Sequence, residues 1–109
     1  MGNPFRGEVT LVIGVTQYRL VCDFNAICEI EAHFDGASIA DIMPRFDDGT
    51  LGFLGYRAVT AALLRHHWLS VTLRDAGDVL SMDPGEVKKA IDVAFRLAAP
   101  DPEDPAKKL

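Results

Sequence analysis

Apolar and polar positions alternate through "EVTLVI" (8–13) and again through "TQYRLVC" (16–22), the pattern of half-buried strands. Val9, Leu11 and Ile13 share one face, and Tyr18, Leu20 and Cys22 share another. Gly14-Val15 lies between the runs, and glycine in first place suits a type II′ turn, so the spacing predicts a β-hairpin. At Cys22-Asp23 the period changes from 2 to 3.6. Asp23 is placed to cap a helix carrying Ile27, Ile30 and Phe34, which Asp35-Gly36 closes with Gly36 in the left-handed conformation. Ser38, with Asp41 three residues on, opens a second helix whose stripe is Ile39, Ile42, Met43 and Phe46; Pro44 makes it short or kinked.

"DDGTLG" (47–52) reads as a loop, and a longer helix is expected from about Phe53 to Trp68, its start loosened by Gly52 and Gly55. "TLRD" (72–75) is a capping box for a helix bearing Leu73, Ala76 and Leu80. "DPGE" (83–86) puts Asp at the N-cap, Pro at N1 and Glu at N3. Val87, Ile91, Ala94 and Ala98 then trace a buried face, with Ala90 and Phe95 beside it. The expected architecture is α+β: an N-terminal β-hairpin followed by four to five short helices in one compact domain, residues 1–99. The closing "PDPEDPAKKL" is rich in proline and charge, so 100–109 is expected to be a disordered C-terminal tail.

With 109 residues the chain has room for one core. No apolar run approaches the ~20 residues of a membrane span, and "MGNPFRGEVT" has neither the apolar stretch of a secretory signal nor the Ser or Thr of a myristoylation motif. The net charge of −5 opposes general nucleic-acid binding, which needs a dense basic surface. Lys88-Lys89, the one adjacent basic pair within the folded part, reads as a solvated helix face. The cysteines, Cys22 and Cys28, lack CxxC spacing and read as small buried hydrophobes in a reducing compartment, rather than as a disulfide or reactive thiols.

Candidate chemistry is sparse. His66 and His67 are adjacent, so on a helix they point about 100° apart and chelate one metal poorly. Placed in a helix's last turn, they complement the negative end of its dipole instead. There is no GxSxG, P-loop or GxGxxG. Glu29 and Glu31 face different ways, and Asp47-Asp48 beside Gly49 lack the ligand pattern of an EF-hand. Ser38, Thr72 and Ser81 read as caps or exposed polar positions. These absences favour a binding or assembly protein over an enzyme, with no cofactor or metal.

The order of parts adds to this: Asn3-Pro4-Phe5-Arg6-Gly7-Glu8-Val9, a hairpin turning at Gly14, then a helix with Ala26 and "EIE" (29–31) that Phe34 and Gly36 close. In this order the chain resembles the small tail-assembly family of gene transfer agents and their phage relatives, which is grouped with phage tail assembly chaperones and has also been labelled a tail tube component. The similarity is strongest over residues 3–46 and looser through 98; "LRHHWLS" matches no motif of the family. The resemblance implies a cytoplasmic or particle-associated protein without catalytic residues that binds the tape measure protein or other tail proteins. Two alternatives stand beside a chaperone: a structural tail or connector component, and a helix-turn-helix regulator, which the net charge disfavours. A two-stranded hairpin leaves open edges, so self-association through one of them is expected as well. For the partner surface the residues named are Leu51, Phe53, Leu54 and Tyr56, extended toward Trp68: large apolar side chains interleaved with glycines after a polar loop. Completion of the core is the competing reading for each of them.

Overall fold

The computed structural model describes residues 7–98; the expected tail at 100–109 and the Asn3–Arg6 segment lie outside them. Strands β1 (Gly7–Ile13) and β2 (Thr16–Cys22) pair antiparallel, Ile13 opposite Thr16 and Gly7 opposite Cys22. Gly14 has φ +62° and Val15 stays out of the left-handed region, as a type II′ turn requires. The register sets Val9 opposite Leu20 and Leu11 opposite Tyr18, so the two predicted apolar rows meet on one face. Leu20, Val21 and Cys22 are all buried. Alternation ends there because two helices, Phe24–His33 and Gly52–Leu64, both pack against β2.

Helix α1 (Phe24–His33) starts where the period changes, and the Asp23 carboxylate accepts from the Ala26 amide at 2.9 Å. Its end departs from expectation. Phe34 is the C-cap, and Asp35, with φ +58°, takes the C′ place expected of Gly36, while Gly36, with φ +84°, is left-handed as expected. Gly36 follows with its amide donating to the Glu31 carbonyl at 2.8 Å, while the Asp35 amide reaches Ala32 at 3.3 Å. That is the bond pair of a Schellman motif. Helix α2 (Ile39–Asp48) buries Ile42 and Phe46 and contains Pro44. Ser38 accepts from the Asp41 amide, and the Glu31 carboxylate takes the Ile39 amide at 2.7 Å. The helix includes Asp47 and Asp48, read above as loop, because Gly49 (φ +82°) ends it only after them. The Asp48 carboxylate then accepts from the hydroxyl and amide of Thr50, which hold its pKa below the ordinary value.

Helix α3 (Gly52–Leu64) is the centre of the fold, with Tyr56 and Ala58 through Leu64 all buried. Helix α4 (Leu73–Met82) opens on a two-way capping box between Thr72 and Asp75. Its buried residues are Ala76 and Val79; Leu73, expected on the core face, is exposed and Leu80 half-buried. Helix α5 (Pro84–Ala98) begins after Asp83, whose carboxylate accepts from the Glu86 amide. It buries the six residues read from its stripe: Val87, Ala90, Ile91, Ala94, Phe95 and Ala98. α5 crosses β1 at Gly7, where a Cβ would stand 2.1 Å from the Ala94 carbonyl oxygen.

The cysteines separate. Cys22 is buried, and desolvation, helped by the Asp23 charge, pushes its thiol up to about 12. Cys28 is exposed, against expectation, because it lies two residues beyond Ala26 on α1 and so about 200° around the helix from it. Alkylation of the native protein near pH 8 should therefore modify Cys28 and leave Cys22 untouched until denaturant is added. Equal labelling of both thiols in the native state would contradict this packing.

Candidate functional site

The segment singled out above divides. Leu51 and Tyr56 are buried, while Phe53 is 91 % exposed and Leu54 67 %. Tyr56 is pinned from several sides. Its hydroxyl donates to the Phe46 carbonyl at 2.9 Å, its ring meets Phe46 edge-on at 5.3 Å, and Phe46 meets Phe95 at 5.4 Å. The glycines act otherwise than as helix looseners. Gly52 has φ +80°, which turns the chain into α3. At Gly55 a Cβ would stand 2.6 Å from the Leu51 side chain and 3.1 Å from Phe34, so close packing requires the glycine.

Phe53 and Leu54 border an open groove of about 520 Å³ between the start of α3, the second half of α4 and the start of α5. Tyr56, Arg57, Gly77, Leu80, Pro84 and Lys88 line the rest of its walls, together with Ser81, whose hydroxyl donates to the Asp78 carbonyl at 2.9 Å. The Arg57 stem runs past Gly77, where a Cβ would stand 3.4 Å from Cδ. The Lys88 ammonium sits 4.7 Å from the centre of the Tyr56 ring, so this lysine is more than a solvated charge. Arg57 Nε is buried with no hydrogen-bond partner among the described residues. Sequence reading missed Arg57, Leu80, Pro84 and Lys88 because three helices contribute them. One signal was available: Arg57 is the single charged residue in "GFLGYRAVTAALL".

Trp68 is placed elsewhere. α3 ends at Leu64, four residues before the expected boundary, and the Trp68 amide reaches back to the Leu64 carbonyl at 3.1 Å. Half-buried, Trp68 packs against the core and borders a depression with Gln17, Tyr18, Arg19, Leu64 and His67. Twelve residues of mostly helical rise separate it from Tyr56, roughly 18 Å, so it belongs to a different surface from the groove. The helix stops early because the chain turns to bury Val71 and start α4: Arg65 donates to the Val71 carbonyl at 3.0 Å and pairs with Glu29. His66 and His67 consequently lie in the turn after α3 rather than in its last turn. His66 Nδ1 faces Asp23 at 3.2 Å, and His67 Nε2 faces Glu8 at 3.4 Å. The histidines thus tie the turn to the start of α1 and to β1. Glu8 also accepts from Arg19 Nε across the hairpin at 2.9 Å. Glu29 and Glu31 serve separate partners, Arg65 and the α2 amide.

Among the described residues no group of three or more His, Cys, Asp or Glu is placed to hold a metal, and no helix is long and apolar enough to cross a membrane. The built feature is the groove, an apolar concavity with cationic residues in its walls, suited to binding a shaped apolar surface. Comparison with protein-family models, curated proteins and solved structures gives no match.

Proposed function

We propose that this chain is a non-enzymatic assembly protein of a phage-like tail, of gene transfer agent or prophage kind. It acts in the cytoplasm as a tail assembly chaperone that holds the tape measure protein or other tail subunits through the α3–α4–α5 groove. The observation that carries the binding reading is the exposure of Phe53 and Leu54 at the border of an apolar groove. Large side chains left in water beside a concavity are positioned to gain about 1.5–3 kcal/mol each on burial against a partner. The tail assignment itself rests on the order of motifs from Asn3 through Gly36.

A second reading, a structural tail or connector component, is favoured by the hairpin. Among the described residues its sheet has two strands, so each keeps one edge that no described strand pairs, and Val12 and Val15 are exposed near its tip. Edge-to-edge pairing of copies would use that feature. Finding the protein in purified particles supports this reading, and its absence from them supports the chaperone.

The groove is tested by Phe53→Ser and Leu54→Ser, made separately. Each should stay within about 0.5 kcal/mol of the parent stability, since neither side chain is in the core. At least one should lose co-purification with the tape measure protein. Two variants that fold and still bind it would remove the groove from the function.

A further inference from the structure

The groove has a chemical polarity that its apolar walls conceal. In a chain of net charge −5, the two charged groups that line it among the described residues, Arg57 and Lys88, are both cations, and no described Asp or Glu lines it. Lys88 is engaged over the Tyr56 ring. Arg57 is not satisfied in the same way: its Nε is buried and donates to nothing among the described residues. A guanidinium offers five donors in a planar fork, and an N–H of a charged group taken from water without an acceptor is costly. The acceptor that best matches that fork is a carboxylate, which can take two parallel N–H bonds.

Backbone considerations limit the shape of the occupant. The walls come from α3, α4 and α5, and among the described residues no strand edge borders them. A segment laid there in extended form would find no ladder for its amides and carbonyls. A helix satisfies them internally and offers side chains at i, i+3 and i+4. The apolar positions available to meet such a stripe are Phe53, Leu54, Leu80 and Pro84.

We propose that the groove is the docking site for an amphipathic helix of a partner protein, with its apolar stripe against Phe53, Leu54 and Leu80 and one carboxylate on the Arg57 guanidinium. This rests on reading the chain as a protein-binding module and does not depend on the partner being a tail protein.

The test uses isotope-labelled full-length protein and three designed helical peptides. All carry Leu at i, i+3 and i+7; the residue at i+4 is Glu, Gln or Lys. The Glu peptide should shift the amide resonances of Phe53, Leu54, Arg57, Gly77 and Leu80. Its Gln twin should bind about tenfold or more weakly, the scale of a charge-assisted hydrogen bond, and the Lys twin more weakly still. Arg57→Met keeps an apolar stem and deletes an unpaired buried donor. Its thermal midpoint should therefore hold or rise, while the Glu–Gln difference disappears. The proposal is overturned if the twins bind alike, if their difference survives Arg57→Met, or if no peptide shifts the groove. A dimer that Phe53→Ser dissolves would overturn it by making a second copy the occupant. So would a full-length variant with Asp101→Asn, Glu103→Gln and Asp104→Asn whose groove resonances move without peptide, since the occupant is then the chain's own C-terminal segment. Discrimination among the peptides without co-purification of the tape measure protein supports the groove chemistry and counts against the tail assignment alone.

Discussion

Gly7→Ala should lower the stability of this protein by about 3 kcal/mol, at the upper end of the cost of overpacking a core. At roughly 4–8 °C per kcal/mol for a domain of this size, the thermal midpoint should fall by ~12–24 °C. The reason is a backbone approach. α5 runs across β1 so closely that a Cβ on residue 7 would stand 2.1 Å from the Ala94 carbonyl oxygen and 3.0 Å from the Ala98 amide nitrogen. Both obstacles are main chain of a helix, so no side-chain rotation relieves the overlap. Either α5 lifts from the hairpin, loosening the packing of Ala94 and Ala98, or the first residues of β1 peel away. Gly14→Ala is the useful comparison. Gly14 has φ +62° and open space around its Cβ position, so that change strains a turn without separating the layers. Thermal unfolding of the two variants side by side checks the argument, and a Gly7→Ala protein as stable as the parent would mean that α5 does not cross β1 at this distance.

The second large effect is expected within four residues of sequence. Tyr56→Ala should cost about 3–5 kcal/mol, the range for removing a buried aromatic ring, whereas Phe53→Ala should stay within about 0.5 kcal/mol of the parent. Tyr56 is 7 % exposed, sits between Phe46 and Lys88, and its hydroxyl occupies the Phe46 carbonyl. Phe53 is 91 % exposed. Tyr56→Phe separates the contributions, because it keeps the ring and removes the hydrogen bond; about 1–2 kcal/mol should go with the hydroxyl. Denaturant unfolding of the three variants gives the ranking Tyr56→Ala, Tyr56→Phe, Phe53→Ala. Equal losses at positions 53 and 56 would show that both side chains belong to the core.

That pair shows where sequence reading stops. Composition marks Leu51, Phe53, Leu54 and Tyr56 alike, as large apolar residues after a polar loop. α3 is buried around most of its circumference from Gly55 to Leu64, so no amphipathic stripe remains to say which way its first turn faces. The arrival of Phe46 from α2 and of Lys88 from α5 is what separates core from surface. The short-range features were legible for the opposite reason. The hairpin with its glycine turn, the start of α1 at Asp23, the Thr72–Asp75 box and the buried face of α5 each depend on residues within a few positions of one another, and on periods of 2 and 3.6 that the backbone imposes. Boundaries set by tertiary contact were less so. α3 stops at Leu64 because Arg65 is held by Glu29 and the Val71 carbonyl, and Cys28 faces water because Ala26 and Ile30 take the inner side of α1.

By itself, then, the sequence determined an α+β chain with an N-terminal hairpin, the capped starts of α1, α2, α4 and α5 and the buried faces of the hairpin and of α5, since backbone geometry and side-chain polarity act locally. Only the tertiary structure decided that Gly7 must be glycine, that Trp68 and Phe53 lie on different surfaces, and that Arg57, Leu80, Pro84 and Lys88 come together around one groove. Those outcomes depend on how helices and strands far apart in the chain pack against one another, and close packing between such elements leaves no periodic trace along any one of them.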